Sequence, residues 1–133
     1  MLKLRALAVA LVLAAGAAGA QQSPPGAHVT PLMKQALADY PGKEATVITV
    51  DYAPGGASDV HRHNAHAFVY VLEGSIVMGV RGGKAVTLTP GQTFYEGPDD
   101  IHTVSRNASR TEPAKFMVVL LKDSGAPIVT PAH

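Results

Sequence analysis

Histidines concentrated in one short segment of the chain are the residues best suited to chemistry. His61 and His63 stand two positions apart in the segment HRHNAHAFVYVLEG. In a β-strand, residues i and i+2 project to the same face, so both imidazoles could be presented to one metal ion. His102 lies in a later strand candidate and could supply a third nitrogen. Imidazole ligands suit zinc, copper, iron or nickel, and a carboxylate added to two histidines favours iron. The pattern predicts a metal site with open coordination positions.

The segments that must position these histidines have the pattern of an all-β domain. Short runs rich in β-branched and aromatic residues alternate with turns rich in glycine and proline, which is typical of a β-sandwich or β-barrel. The predicted strands are residues 45–52, 67–72, 75–80, 85–89, 92–96, 101–106 and 114–121. We therefore assign residues 45–122 to one barrel domain.

The regions on either side of the barrel carry different signals. Thr30 and Pro31 resemble a helix N-cap followed by proline in the first helical position. Apolar residues at positions 32, 33, 36 and 37 then predict a short helix, within an extension spanning residues 21–44. Residues 123–133 are rich in small and polar residues and are expected to form a flexible C-terminal tail.

The first 20 residues have the layout of a secretory signal peptide. Lys3 and Arg5 precede an apolar run, and the small residues Ala18, Gly19 and Ala20 follow it. The apolar run is shorter than the roughly 20 residues that span a bilayer, so cleavage is favoured over an uncleaved anchor. We expect a periplasmic or secreted protein with no membrane segment after cleavage.

Charge and cysteine content exclude several classes of function. Two of the eleven basic residues and none of the ten acidic ones lie in residues 1–20, so residues 21–133 carry a net charge of −1. That balance gives no basic face for a nucleic acid partner. The chain contains no cysteine, so disulfides and thiolate ligands are absent, and a metal must be bound by histidine, carboxylate or water.

Two longer motifs resemble those of the cupin superfamily, which are small jelly-roll β-barrels. The first runs from Gly55 through His61 and His63 to the YVLEG sequence ending at Gly74, and the second is PGQTFYEGPDDIH, ending at His102. The resemblance covers roughly residues 45–122. It implies a divalent metal (iron, manganese, nickel or zinc) inside the barrel, with His61, His63 and His102 at the ligand positions.

The chain departs from the cupin pattern where the family has an acidic ligand. That acid would stand at position 67 or 68, which are Ala67 and Phe68 here. Glu96, just before the turn of the second motif, is a candidate fourth ligand or a residue that hydrogen-bonds a ligand. His66 is a weaker candidate, because strand alternation turns it away from an inward position 67.

The resemblance leaves the activity open between two classes. A three-histidine site with open positions favours a small-molecule dioxygenase, isomerase or related metalloenzyme. The missing acid and the lack of a recognisable acid–base pair instead favour a non-catalytic module that binds a small molecule or metal as a sensor or carrier. The apolar residues Phe68, Tyr70 and Leu72, on the face opposite the barrel interior, make a homodimer a further expectation.

Overall fold

The computed structural model describes residues 26–133, and over that range the chain is built from ten β-strands without a helix. The predicted signal peptide lies outside the described residues. In the described part, no helix is long and apolar enough to span a membrane. The strands are β1 (His28–Ala36), β2 (Lys43–Tyr52), β3 (His61–Arg62), β4 (His66–Glu73), β5 (Ile76–Val80), β6 (Val86–Leu88), β7 (Thr93–Glu96), β8 (His102–Asn107), β9 (Ala114–Asp123) and β10 (Thr130–Pro131).

The strands form two five-stranded sheets whose inner faces share one core. The first sheet has the order β1-β2-β9-β4-β7, and the second has the order β10-β3-β8-β5-β6. All the strand pairs within them are antiparallel. The core includes Val69, Phe116 and Leu120 of the first sheet together with Ile76 and Met78 of the second. This architecture confirms the predicted all-β, jelly-roll type of fold.

Strand β4 shows how the sequence pattern selects the buried face. Its residues alternate between exposed and buried, as the period of two in a half-buried strand requires. Ala67, Val69 and Val71 point into the core and are at most 2% exposed. The alternate residues, among them Phe68 and Tyr70, lie on the outer face. A slip of one residue would exchange the two faces, so the pattern fixes the register.

The helix predicted from Thr30 is wrong, because these residues form strand β1. Strand β1 pairs with β2 over its length, with a register shift between Pro31 and Met33. Strand β1 is the edge strand of its sheet. Proline is tolerated in edge strands, because one side of such a strand has no neighbour that its N–H would have to bond. The free edge of β2 offers backbone partners, and such tertiary pairing overrides weak local helix propensity.

The C-terminal segment also differs from the flexible tail that we expected. After Asp123 the chain returns to the barrel, where Thr130 and Pro131 form β10 and pair with Arg62 and His61 of β3. Asn64 donates a side-chain hydrogen bond to the Thr130 hydroxyl at 3.1 Å. The segment therefore borders the strand that carries the first histidine.

Candidate metal centre

Three of the predicted histidines lie together between the two sheets. His61 of β3 is directly opposite His102 of β8 in the strand register. His63 follows β3, and its ring lies edge-on to that of His61 with the centroids 4.8 Å apart. One ligand nitrogen from each of the three rings can be chosen so that all lie within 4.8 Å of one another. All three residues are buried, at 3–8% exposure.

The third histidine of that segment, His66, lies apart from this cluster. Asn64 adopts a left-handed conformation with φ of 49°, which asparagine tolerates better than most residues. The chain turns there and enters β4 with His66 exposed on the outer face. The His66 Nδ1 atom is 2.7 Å from the Tyr95 hydroxyl, and the two rings are stacked. His66 is thus not positioned to join the other three.

Backbone carbonyls fix the orientation of two of the clustered rings. Nδ1 of His61 is 2.7 Å from the carbonyl oxygen of Asp59, and Nδ1 of His63 is 2.7 Å from that of Ile128. Since a carbonyl only accepts, both Nδ1 atoms carry the proton, and in the neutral rings Nε2 keeps a free lone pair. Burial lowers the pKa of His61 against the opposing effect of the Asp59 carbonyl. A neutral imidazole is the form that binds a metal.

The carboxylate of Glu96 lies against this cluster from the other sheet. Glu96 is 2% exposed and sits at the end of β7. Its Oε1 atom is 3.0 Å from His102 Nδ1, and its Oε2 atom is 3.7 Å from His63 Nε2. In the register of β4 and β7, Glu96 is the direct partner of Ala67. Side chains of directly opposed residues share one face, so this carboxylate occupies the side of the sheet towards which residue 67 points.

Several buried polar atoms of the cluster have no hydrogen-bond partner. They are Oε2 of Glu96 and both ring nitrogens of His102. The 3.0 Å approach between His102 Nδ1 and Glu96 Oε1 lacks the alignment of a hydrogen bond. An unsatisfied buried polar group costs about 1–3 kcal/mol, more if it is charged, so such groups are normally paired. Three imidazoles and one carboxylate converging in this way fit a divalent metal ion, which would satisfy Glu96 Oε2 and one ring nitrogen of His102.

A cavity of about 340 Å³ adjoins the cluster inside the barrel. Its walls include His61, His63, His102 and Glu96, with apolar side chains from both sheets. The Phe94 ring lies nearly parallel to that of His102, with the centroids 6.2 Å apart. The site therefore combines nitrogen and oxygen ligands with a mostly apolar chamber, the usual composition of a small-molecule site.

Two parts of the site were missed in the sequence. The first is the Ile128 carbonyl, which lies 65 residues from His63 in a segment with no strand pattern. The second is a group of three hydroxyls, in which Tyr52 bonds to both Ser58 and Ser105 at 2.7 Å. Burial raises the pKa of Tyr52, so its hydroxyl remains protonated. No local signal links residues this distant, because the sheet register alone brings them together.

Solved structures of other proteins align with this fold over most of the chain. A cupin domain from Bordetella pertussis aligns with a TM-score of 0.59 and 22% identity, covering 76% of this chain and 98% of the other. The TT1209 protein of Thermus thermophilus aligns with a TM-score of 0.59 and 26% identity, over 75% and 87% of the two chains. An oxalate oxidase in complex with glycolate aligns with a TM-score of 0.61 and 25% identity, over 81% of this chain and 56% of its own.

Sequence comparison gives the family directly. No protein of curated function matches the chain in sequence. The sequence profile of the Cupin domain family matches residues 48–120, from the middle of β2 to near the end of β9. The matched region contains the three clustered histidines and Glu96. Together with the two-sheet fold, this match shows that the chain belongs to the cupin family.

Proposed function

We propose that the protein is a metal-dependent cupin that acts on a small molecule, with the metal held by His61, His63, His102 and Glu96. The observation that carries the proposal is the convergence of these four buried side chains, three of whose polar atoms lack hydrogen-bond partners. Glu96 supplies the carboxylate that the cupin pattern would place at position 67. The set of three nitrogens and one oxygen suits iron, manganese, nickel or zinc.

Within this site the chain's own residues have separate tasks. The carbonyls of Asp59 and Ile128 hold the Nδ1 protons of His61 and His63, which keeps Nε2 of each ring free as a ligand atom. The walls of the cavity beside these ligand atoms are mostly apolar. A bound divalent ion would supply Lewis-acid chemistry or, if it is iron or manganese, redox chemistry.

We infer that the activity is an oxidation of a small molecule by dioxygen. The structural neighbour at 25% identity that is an oxalate oxidase supports oxygen chemistry, although this chain spans only 56% of it. A cavity of about 340 Å³ between the two sheets supports a small substrate.

Metal analysis of untagged protein tests the proposal. We expect close to one equivalent of metal per chain after reconstitution, and a large loss in His61→Ala and His102→Ala. His66→Ala is the matched control, because this exposed histidine of the same segment lies outside the cluster, and it should keep full occupancy. Equal and negligible metal in the parent protein and all variants would exclude the metal site.

Oxygen consumption then separates an enzyme from a binding module. The metal-loaded protein is incubated with a panel of thiols, diols and flavonoids in an oxygen electrode. Substrate-dependent uptake that is lost in His61→Ala supports the enzyme. Full metal occupancy with ligand binding but no turnover on any compound would instead indicate a sensor or carrier.

We also propose that residues 1–20 direct export, so that the protein acts in the periplasm or outside the cell. The support is the order of basic, apolar and small residues in the sequence. Mass spectrometry of protein from fractionated cells measures the mature N-terminus. A cytoplasmic protein that retains residues 1–20 would contradict this proposal.

A further inference from the structure

The composition of the cavity restricts the kind of molecule it can accept. Apart from the histidine end, its walls are dominated by aliphatic and aromatic side chains. They include Ile48, Val50, Val69, Met78, Phe116 and Val118. At about 340 Å³ it lies near the lower end of the roughly 300–1,000 Å³ that small-molecule pockets occupy. A molecule with one apolar ring or a short branched chain therefore matches both the size and the walls.

The charged residues around the cavity also favour an uncharged ligand body. Among the described residues that line it, none is lysine or arginine, and the carboxylates are those of Glu96 and Asp59. An ionised group of a ligand that lay against the aliphatic walls would have no cationic side chain of the cavity as its partner. Removing a charge from water without a partner is strongly unfavourable.

The hydroxyl groups on the cavity wall do not provide a partner for a second charged group either. The Tyr52 hydroxyl is bonded to Ser58 and Ser105 and also lies 3.3 Å from the Ser105 carbonyl. With the Tyr52 proton on the Ser105 carbonyl, both serine hydroxyls can donate to Tyr52, so none of the three O–H donors is left for an anionic group of the ligand. Since burial raises the pKa of Tyr52, this wall also adds no charge at neutral pH.

Building on the proposed function, we propose that the substrate is a small molecule with one oxygen-bearing end and an uncharged, apolar body. The oxygen-bearing end faces the histidines and Glu96, and the body lies between the two sheets. Molecules with a second ionised group, such as small dicarboxylates, are selected against. A short, fully polar acid is outside this class, because it has no apolar part to pack against the apolar walls.

Two isosteric probe pairs test the inference by calorimetry or NMR titration. Zinc-loaded protein is titrated with 4-isopropylbenzoate and with terephthalate, which differ only in an isopropyl group against a second carboxylate. Metal-free protein is titrated with 4-isopropylphenol and 4-hydroxybenzoate, which differ in the same way. We expect the isopropyl member to bind at least about tenfold more tightly in each pair. Equal affinities, or tighter binding of the charged member, would overturn the proposal.

A charge placed at the cavity wall provides a second test on zinc-loaded protein. Val29 lines the cavity and is 42% exposed, so Val29→Lys can be accommodated and supplies a counter-charge. This variant should reduce the difference in affinity between 4-isopropylbenzoate and terephthalate. Leu32→Lys is the matched control, because Leu32 is on the same strand and is exposed, but does not line this cavity. A Val29→Lys variant that discriminates as strongly as the control contradicts the inference.

The titrations of metal-free and zinc-loaded protein distinguish failure of this inference from failure of the proposed function. If metal-free protein prefers 4-isopropylphenol but no metal can be loaded, the metal-dependent function fails and the selectivity of the cavity stands. If zinc loads with full stoichiometry but neither probe pair is discriminated, the metal site stands and the substrate class is wrong.

Discussion

Glu96 gives the cluster a carboxylate that the first cupin motif lacks in this chain. Ala67 stands where the motif has its acid, and Glu96 is its direct partner on the neighbouring strand. Both residues are almost fully buried and lie on the same face of the sheet. An acid on β7 can thus reach the position that an acid on β4 would occupy. The sequence shows that the acid at 67 is missing and that Glu96 is a candidate, but only the register shows that the two positions are opposite each other.

Moving the carboxylate across this strand pair tests the arrangement. We predict that Glu96→Ala lowers metal affinity by at least the roughly 10–100-fold lost when a residue supporting a ligand is removed. Adding Ala67→Glu to that variant should restore much of the affinity, because the exchange keeps the charge and the total side-chain volume of the pair. Competition with a metal chelator measures the affinity of each protein.

Glu73→Gln is the matched control for this exchange, since Glu73 is exposed at the end of β4. It should bind metal as the parent protein does. Circular dichroism verifies that all variants remain folded. If Glu96→Ala binds metal with unchanged affinity, Glu96 is not a ligand. If Glu96→Ala loses affinity and the added Ala67→Glu restores none of it, the two positions are not equivalent.

At the scale of strands, the sequence predicts an element correctly where its hydrophobic pattern and its turn residues agree. The alternation in β4 and the turn formers around it predict both that strand and its buried face. Strand β1 shows the limit, because its eight pairings with β2 come from outside the segment and replace a helix suggested by Thr30 and Pro31. Strand β10 has only two residues, which is too short for any periodic signal.

The C-terminal segment supports the metal centre through its backbone. It supplies the Ile128 carbonyl to His63 and pairs with the strand that carries His61. Deletion of residues 127–133 should therefore weaken metal binding by about 10–100-fold, as is typical when a ligand histidine loses its hydrogen-bond partner. Chelator competition measures the affinity. Deletion of residues 132–133 alone, beyond β10, is the control and should bind nearly as the full chain does.

Unchanged affinity in the longer deletion would show that the segment does not position His63. Thermal melts of both proteins in the metal-free state separate this effect from a general loss of the fold. The prediction requires that the longer deletion remain folded while its affinity falls.

A buried ion pair holds the beginning of the same segment. Lys122 is bonded to Glu44 of β2 and donates at 2.6 Å to the Ala126 carbonyl. The hydrogen bond from Lys122 lowers the pKa of Glu44 below its usual value. Since the folded state favours the ionised form, the pair stabilises the protein above the unfolded pKa of about 4.3. That contribution is lost as pH falls through the lower pKa of the folded protein.

Urea unfolding of metal-free protein at a series of pH values measures this contribution. We predict that Glu44→Gln is less stable than the parent protein at pH 7 and that the difference shrinks as pH falls below about 4.3. Asp51→Gln is the control, since Asp51 forms an ion pair with Lys115 that is far more exposed. A Glu44→Gln difference that stays constant down to the lowest folded pH would contradict the linkage.

At the scale of the whole molecule, the two faces of the first sheet differ in what they contact. The inner face belongs to the core, while the outer face carries a row of exposed apolar side chains. These are Phe68, Tyr70, Leu72, Tyr95 and Leu121, each between 37% and 51% exposed. Phe68 and Tyr95 already pack against each other with ring centroids 5.4 Å apart. An apolar patch of this kind on a protein surface commonly marks an interaction surface.

We predict that the protein forms a homodimer through this face. Two copies would each remove the patch from water, and a stable interface buries about 800 Å² on each partner. Phe68→Lys should convert the dimer to a monomer, because it places a like charge from each copy at the contact and removes an aromatic ring. Val86→Lys is the control, since Val86 is 39% exposed on β6 of the other sheet and should leave the dimer intact. Light scattering after size-exclusion chromatography gives the mass of each species. A parent protein that is monomeric at every concentration, or a Val86→Lys variant that dissociates while Phe68→Lys does not, would contradict the assignment of this face.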